Sequence, residues 1–347
     1  MKIAKNPLLG LGLAAVFAGL AAGSDAESGE SAVAGYKTYK KWEIILPGEQ
    51  WATIQDVIPI AHAEGEGFAV EITGPLALAV DTNADGKTDK KVKGVGGFLK
   101  LRGKDEHGGT INYAVRIRST VGGWQYAASG AMQTKLAGQM VRVIDQNNNG
   151  IYDEYGVDAM IVGSGDDASY LSKVVNIAGD LYDFEVSSDG REMSIEPFSS
   201  EVGTVALASS FKSNGKLKSA VILDRSRDYS FNVAGHRSGL RVPAGTYEFA
   251  SGFAKRGGES CWIKTGKMRP LEVKPDEKTS VTWGAPVVAD FSWTVAAGTV
   301  TVNPDVIFYG QAGEVYHSFK PDAKSPKLIF RDKKRNKIVL EARFPGC

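Results

Sequence analysis

Two nine-residue stretches carry the densest chemistry in the chain. They are Asp81-Thr-Asn83-Ala-Asp85-Gly86-Lys87-Thr-Asp89 and Asp145-Gln-Asn147-Asn-Asn149-Gly150-Ile151-Tyr-Asp153. Both follow the pattern D-x-[DN]-x-[DN]-G-x-x-D. Side-chain oxygens at positions one, three and five can converge on a hard cation, provided glycine at position six allows the sharp bend. The main-chain carbonyl at position seven, Lys87 or Ile151, then faces inward, and Asp89 or Asp153 at position nine closes the ring directly or through water. Calcium takes about 6–8 oxygens in irregular geometry and is the ion this spacing predicts; magnesium tolerates such cages less well. Asp158 is a further carboxylate within reach of the second loop, whereas Lys87, Lys90 and Lys91 crowd the first. The second loop is therefore expected to form the better cage, although it has fewer carboxylates at its core positions. The same residue types also build plain polar turns, because Asp and Asn cap the local backbone. Two copies, each with oxygens at all four side-chain positions, favour the ion. Its expected role is structural: it neutralises gathered carboxylates and locks a loop between strands.

The loops resemble the calcium loops of EF-hands, dockerins, thrombospondin type 3 repeats and integrin-type propeller repeats, over nine residues each. An EF-hand adds a bidentate glutamate at position twelve, where this chain has Val92 and Gly156. Apolar runs flank the loops: Leu76 to Val80 leads into the first, Val141 to Ile144 into the second, and Ala159 to Val162 out of it. That context is strand, loop, strand, closer to the thrombospondin or propeller usage than to a helix-loop-helix sensor. Two copies are too few for a propeller.

Other chemistry is sparse. The sequence contains no G-x-S-x-G elbow, H-E-x-x-H pair or P-loop. His62, His107, His236 and His317 stand apart in sequence. Lys104-Asp-Glu-His107-Gly-Gly reads as a charged hairpin tip, and His236-Arg237 between Gly235 and Gly239 reads as a turn. The basic run Arg331 to Lys337 lacks interleaved aromatics and reads as a solvated turn. The six tryptophans are expected as core anchors of separate sheets. The leading reading is thus a non-enzymatic protein with structural calcium, serving as an envelope, matrix or adhesion component. A glycan- or peptide-binding module is the first alternative and predicts exposed tryptophans around a concave sheet. A secreted hydrolase with an unrecognised carboxylate site is the second and predicts a deep pocket with two converging ionisable groups.

The elements that must position the loops are β-strands. Short β-forming runs include Val70 to Thr73, Phe98 to Leu101 and Tyr113 to Arg118. Leu181 to Val186 and Met193 to Ile195 flank Asp189-Gly190, a hairpin signature; Leu328 to Phe330 and Ile338 to Leu340 form a second hairpin. One or two helical turns are expected over 53–62; 168–175 could form a turn too, but its β-branched end argues equally for a strand. The segment Leu240-Arg-Val-Pro243-Ala-Gly245-Thr-Tyr247-Glu-Phe249 resembles the Pro-Ala-Gly-Thr-Tyr turn-to-strand segment of prealbumin-like and Cna-B-like sandwiches of bacterial surface proteins. That likeness implies a fold class and no function. The predicted class is all-β: tandem antiparallel β-sandwich-like domains with calcium-loop hairpins.

Length and composition fit this plan. At roughly 150 residues per domain, 347 residues suggest two or three domains. The expected division is a signal peptide over 1–26 and a flexible leader over 27–35. A β-rich domain with both loops follows over 36–200, then a sandwich over 203–284 and a C-terminal β segment over 285–347. Lys2 and Lys5, the apolar run Leu8 to Leu20, and the small residues Ala21 to Ser24 and Ala26 make the n, h and c regions of an export signal. The mature chain is expected in the periplasm or outside the cell, with no transmembrane segment. There, Cys261 and Cys347 could form a disulfide or remain free thiols. A net charge of +1 gives no global field for nucleic acid.

Overall fold

The computed structural model describes residues 29–303, 305–318 and 327–343. The expected signal peptide and Cys347, half of the possible disulfide, lie outside the described residues. The described chain is all-β, with antiparallel sheets in sandwich-like layers and one helical turn, Leu207–Ser210.

Four sheets surround the first core. One runs in the order Glu30–Val33, Glu192–Pro197, Asp180–Val186, Val174–Ile177. A second runs Ser169–Tyr170, Ala159–Val162, Gln139–Ile144, Gly130–Leu136, Gly35–Thr38. The third centres on Thr110–Thr120 between Gly96–Lys104 and Gly123–Ala128, and the fourth contains Phe68–Gly74, Ala77–Val80 and Lys90–Lys93. Alternating side chains from all four, including Phe68, Leu101, Val115, Tyr126, Leu136, Val143 and Phe184, meet in one buried cluster.

The second core lies beneath a sheet whose backbone is Lys216–Asp224 paired with Gly245–Arg256 and then Glu259–Lys264. Trp283 is its largest buried side chain; its ring packs on Phe211 and Phe249, and its Nε1 donates to the Leu207 carbonyl at 2.9 Å. Tyr247, in the Pro-Ala-Gly-Thr-Tyr segment, is fully buried and donates its hydroxyl to the Pro243 carbonyl at 2.9 Å, tying the turn to the strand it feeds. The strands Ile307–Tyr309 and Val315–His317 extend this same sheet. Strand alternation also couples the two cores: Val175 and Phe184 face the first, whereas Val174 and Leu181 face the second.

Several expectations are corrected. Glu30–Val33, placed in the flexible leader, is an edge strand paired with Glu192–Pro197; Ala32 packs on the first core and Glu30 accepts the Ala137 amide at 2.6 Å. The region 53–62 holds the short strands Ala52–Thr53 and Val57–Ile58 in place of helical turns, and of the two readings of 168–175 the strand is the one found, in Ser169–Tyr170 and Val174–Ile177. Cross-strand pairing outweighs local helix preference there, and the β-branched Val57, Ile58, Val174 and Val175 suit it. Of the tryptophans, only Trp124 and Trp283 are buried. Trp42 and Trp51 instead flank the Arg116 guanidinium at 4.1 and 5.1 Å, and Trp293 is 60% exposed.

Candidate metal centre

Both acidic loops are built on the same backbone. Position four takes a left-handed conformation in each, at Ala84 (φ 61) and Asn148 (φ 71), as does the glycine at position six, Gly86 (φ 77) and Gly150 (φ 82). In each, the first aspartate turns back as an acceptor for the loop's own amides. Asp81 accepts from Asn83, Ala84 and Gly86 at 3.0, 2.9 and 2.8 Å. Asp145 accepts from Asn148, Asn149 and Gly150 at 2.6, 3.2 and 2.6 Å. Position five repeats as well: Asp85 takes the Lys87 amide and Asn149 the Ile151 amide, each at 2.9 Å. What Lys87 and Ile151 visibly bring to the loops is therefore their N–H groups.

The surroundings differ. Of the expected ligands in the first loop only Asp81 is buried; Asn83, Asp85, Lys87 and Asp89 are exposed. Asp89 turns to Thr82, accepting its amide at 2.7 Å and its hydroxyl at 2.9 Å, while the Asn83 amide group donates to Asp85 at 3.1 Å. Asn83 and Asp85 thus pair with each other, and Asp89 pairs with Thr82. Local hydrogen bonds satisfy this loop as they satisfy an Asx-type turn.

The second loop lies inside the first module. Asp145 is 1% exposed, and Tyr113, on the strand Thr110–Thr120, donates its hydroxyl to it at 2.7 Å. With four donors, its lone pairs are filled. Asn148 is a second anchor: its side chain accepts the Ala128 amide at 2.7 Å and donates to the Gln50 carbonyl at 3.1 Å. Burial raises the Tyr36, Tyr113 and Tyr152 phenols, and the Asp145 charge adds to each shift.

Beside this scaffold lies a group of oxygens that is not satisfied. Asp158 is fully buried; its Oδ1 accepts the Gln146 amide at a long 3.3 Å, and its Oδ2 has no partner. Asn147 Oδ1 is also buried without a donor. The Asn147 and Asn149 amide groups both donate to one Glu154 oxygen, at 2.8 and 2.7 Å. Asp153 is half-buried. Burial pushes the Asp158 carboxyl up to about 9; the Asp145 and Glu154 charges add to the shift, and the Gln146 and Glu154 amides oppose it. Burial also lifts Asp145 to about 6, against the pull of Tyr113 and the three amides. A buried carboxylate oxygen without a donor is costly, and such orphans need an explanation. A hard cation would supply one, since its ligands are carboxylate and amide oxygens. Among the described residues, no three His, Cys, Asp or Glu side chains stand at metal-holding distance. Any cage here needs amide oxygens as well as carboxylates.

Glu154 is the residue that sequence reasoning missed. It occupies position ten, adjacent to the expected Asp153, and only the fold shows that it gathers both asparagines.

The histidines are dispersed into local roles. His62 stacks on Phe68 and hydrogen-bonds Gly67, His107 is at an exposed hairpin tip, His236 is in an exposed turn and His317 is on a strand. Asp105, beside His107, is held by Arg191 at 2.5 Å and by the Gly109 amide at 2.7 Å. A cleft of about 1330 Å³ between the two cores is lined by one carboxylate, Asp167.

No family model, curated protein or solved structure matches the chain. The functional reading therefore rests on this chain's own residues.

Proposed function

We propose that this protein is an exported, non-catalytic β-sandwich protein whose 145–158 loop is locked by a calcium ion, and that it serves as an envelope, matrix or adhesion component. The observation that carries the metal reading is the pair of buried oxygens without donors, Asp158 Oδ2 and Asn147 Oδ1, next to Glu154. Asn147, Glu154 and Asp158 would hold the ion, with Asp145 shaping the loop behind them. Bound calcium would supply the positive charge that this pocket lacks. The 81–89 loop is excluded from the proposal because its side chains already satisfy one another. The export reading is supported by the n, h and c pattern of residues 1–26, and no described helix is long and apolar enough to cross a membrane.

Calorimetric titration combined with thermal melts tests the metal reading. Calcium at micromolar to millimolar concentration should bind one site per chain and raise the melting temperature. Asp158→Asn should abolish that rise while leaving calcium-free stability equal or higher, because the amide replaces a carboxyl that is protonated without the ion. No calcium effect up to millimolar concentration, or a full effect in Asp158→Asn, would refute it.

A further inference from the structure

The cleft between the two cores has a second unexplained property, its charge. Its walls come from the strands Ala159–Val162 and Val174–Ile177 on one side, and from Lys216–Asp224 and the 234–241 turn on the other. Lys216, Lys218, Arg237 and Arg241 line it, against one carboxylate, Asp167, whose charge interacts with those of Lys216 and Lys218. None of the four cations takes part in an ion pair among the described residues. Arg241 is partly occupied, donating to the Gly179 carbonyl at 3.3 Å. Lys216, Lys218 and Arg237 lead their charge into a concavity where neighbouring walls concentrate the field.

The volume exceeds the roughly 300–1,000 Å³ typical of small-molecule pockets, so the cleft suits a stretch of a polymer. A peptide would bind most simply by adding a strand to a free sheet edge. Two of the edges meeting here, Ser169–Tyr170 and Ser230–Asn232, are engaged with each other, and a third, Val174–Ile177, is tied to Leu240–Pro243 through Asn176 Nδ2, which donates to the Arg241 carbonyl at 3.1 Å. The Tyr170 amide donates to Ser230 Oγ and the Ser230 amide to Ser172 Oγ, each at 3.1 Å, and Asn232 Nδ2 donates to the Asp167 carbonyl at 3.2 Å. Recognition must then come from side chains that project into the cleft. Beyond the cations, Gln139, Asn214 and His236 line it, and these are suited to hydroxyl groups.

We propose that this cleft binds a segment of an acidic polysaccharide, its anionic groups held by Lys216, Lys218 and Arg237 and its hydroxyls by the polar walls. The proposal is independent of the calcium reading, because no residue of the 145–158 loop lines the cleft.

The test uses fluorescently labelled oligogalacturonate and the full chain in EDTA, so that failure of calcium binding cannot affect it. Binding should be saturable and should weaken as salt rises from about 0.05 to about 0.3 M. The triple variant Lys216→Ala, Lys218→Ala, Arg237→Ala should lose roughly tenfold or more in affinity. Its melting temperature, measured in parallel, should be unchanged, since Lys216 and Arg237 are exposed and Lys218 is half-buried. Neutral dextran should not bind, and polyglutamate of equal charge should bind at least about tenfold more weakly. Absence of oligogalacturonate binding, binding unaffected by the triple substitution, or equal binding of polyglutamate would each overturn the proposal.

Discussion

The 81–89 and 145–153 loops share a motif, two left-handed residues and the same back-turned aspartate, yet they sit in opposite environments. In the first, exposed side chains pair with one another and Asp89 is consumed by Thr82. In the second, Tyr113, Asn148 and Asp158 bring the loop into the module, and two buried oxygens are left over. The motif therefore specifies a bend. Whether the bend gathers oxygens around an ion depends on residues that arrive from other strands.

The largest expected difference is in the back-turned aspartates. Asp145→Ala leaves three amides and the Tyr113 hydroxyl without an acceptor in a buried setting, and should cost on the order of 3–5 kcal/mol. Asp81→Ala strips three amides but no side-chain hydroxyl, in a loop whose other expected ligands are exposed, and should cost about 2 kcal/mol. Urea denaturation of the two variants measures both. Equal losses would remove the contrast between the loops.

The glycines at position six sharpen the comparison. Both have positive φ, so alanine is strained at either by about 1–2 kcal/mol. A Cβ on Gly86 meets nothing within 4 Å, whereas one on Gly150 approaches Ile60 Cδ1 to 3.3 Å. Gly150→Ala should therefore be the more destabilising in thermal melts. Parity between them would mean that Ile60 yields freely.

Proton linkage separates the loops next. Asp145 and Asp158 are both raised in the folded chain, to about 6 and about 9. The folded chain thus holds protons that the unfolded chain has released. In EDTA, stability should be fullest below the unfolded carboxylate range, near about 4, and should fall as pH rises through 6 toward 9. The stabilisation by calcium should accordingly be larger at pH 8 than at pH 5. Melts in EDTA and in calcium at both values measure this; a calcium shift independent of pH contradicts it. Asp85 in the first loop is shifted the other way, lowered by the Lys87 amide and the Asn83 side chain.

The smallest effect is expected from Asp89→Asn. It weakens the contacts with Thr82 by about 1 kcal/mol in a denaturation curve and should leave the calcium response intact. Loss of that response would move the ion to the first loop.

Much of this was legible in the sequence where one local rule sufficed. Asp-Gly at 189–190 marked the hairpin of Asp180–Val186 and Glu192–Pro197, and the spacing of Asp, Asn and Gly marked both bends. What local rules could not supply was long-range pairing. Glu30–Val33 becomes a strand only because Glu192–Pro197 offers it an edge, and Ala52–Thr53 because Gly123–Ala128 does. The candidate site divides in the same way. Asp158 was visible as a nearby acid, but Tyr113 reaches Asp145 across 32 residues and no motif announces it. Glu154 escaped notice because its role comes from the path of the chain after Asp153.

The central claim is most directly tested by diffraction from crystals grown in calcium, recorded at a wavelength where calcium scatters anomalously. The account predicts one strong peak per chain, bounded by Asn147, Glu154 and Asp158, and none within 81–89. An empty 145–158 loop, or a peak ringed by Asp81, Asp85 and Asp89, would contradict it.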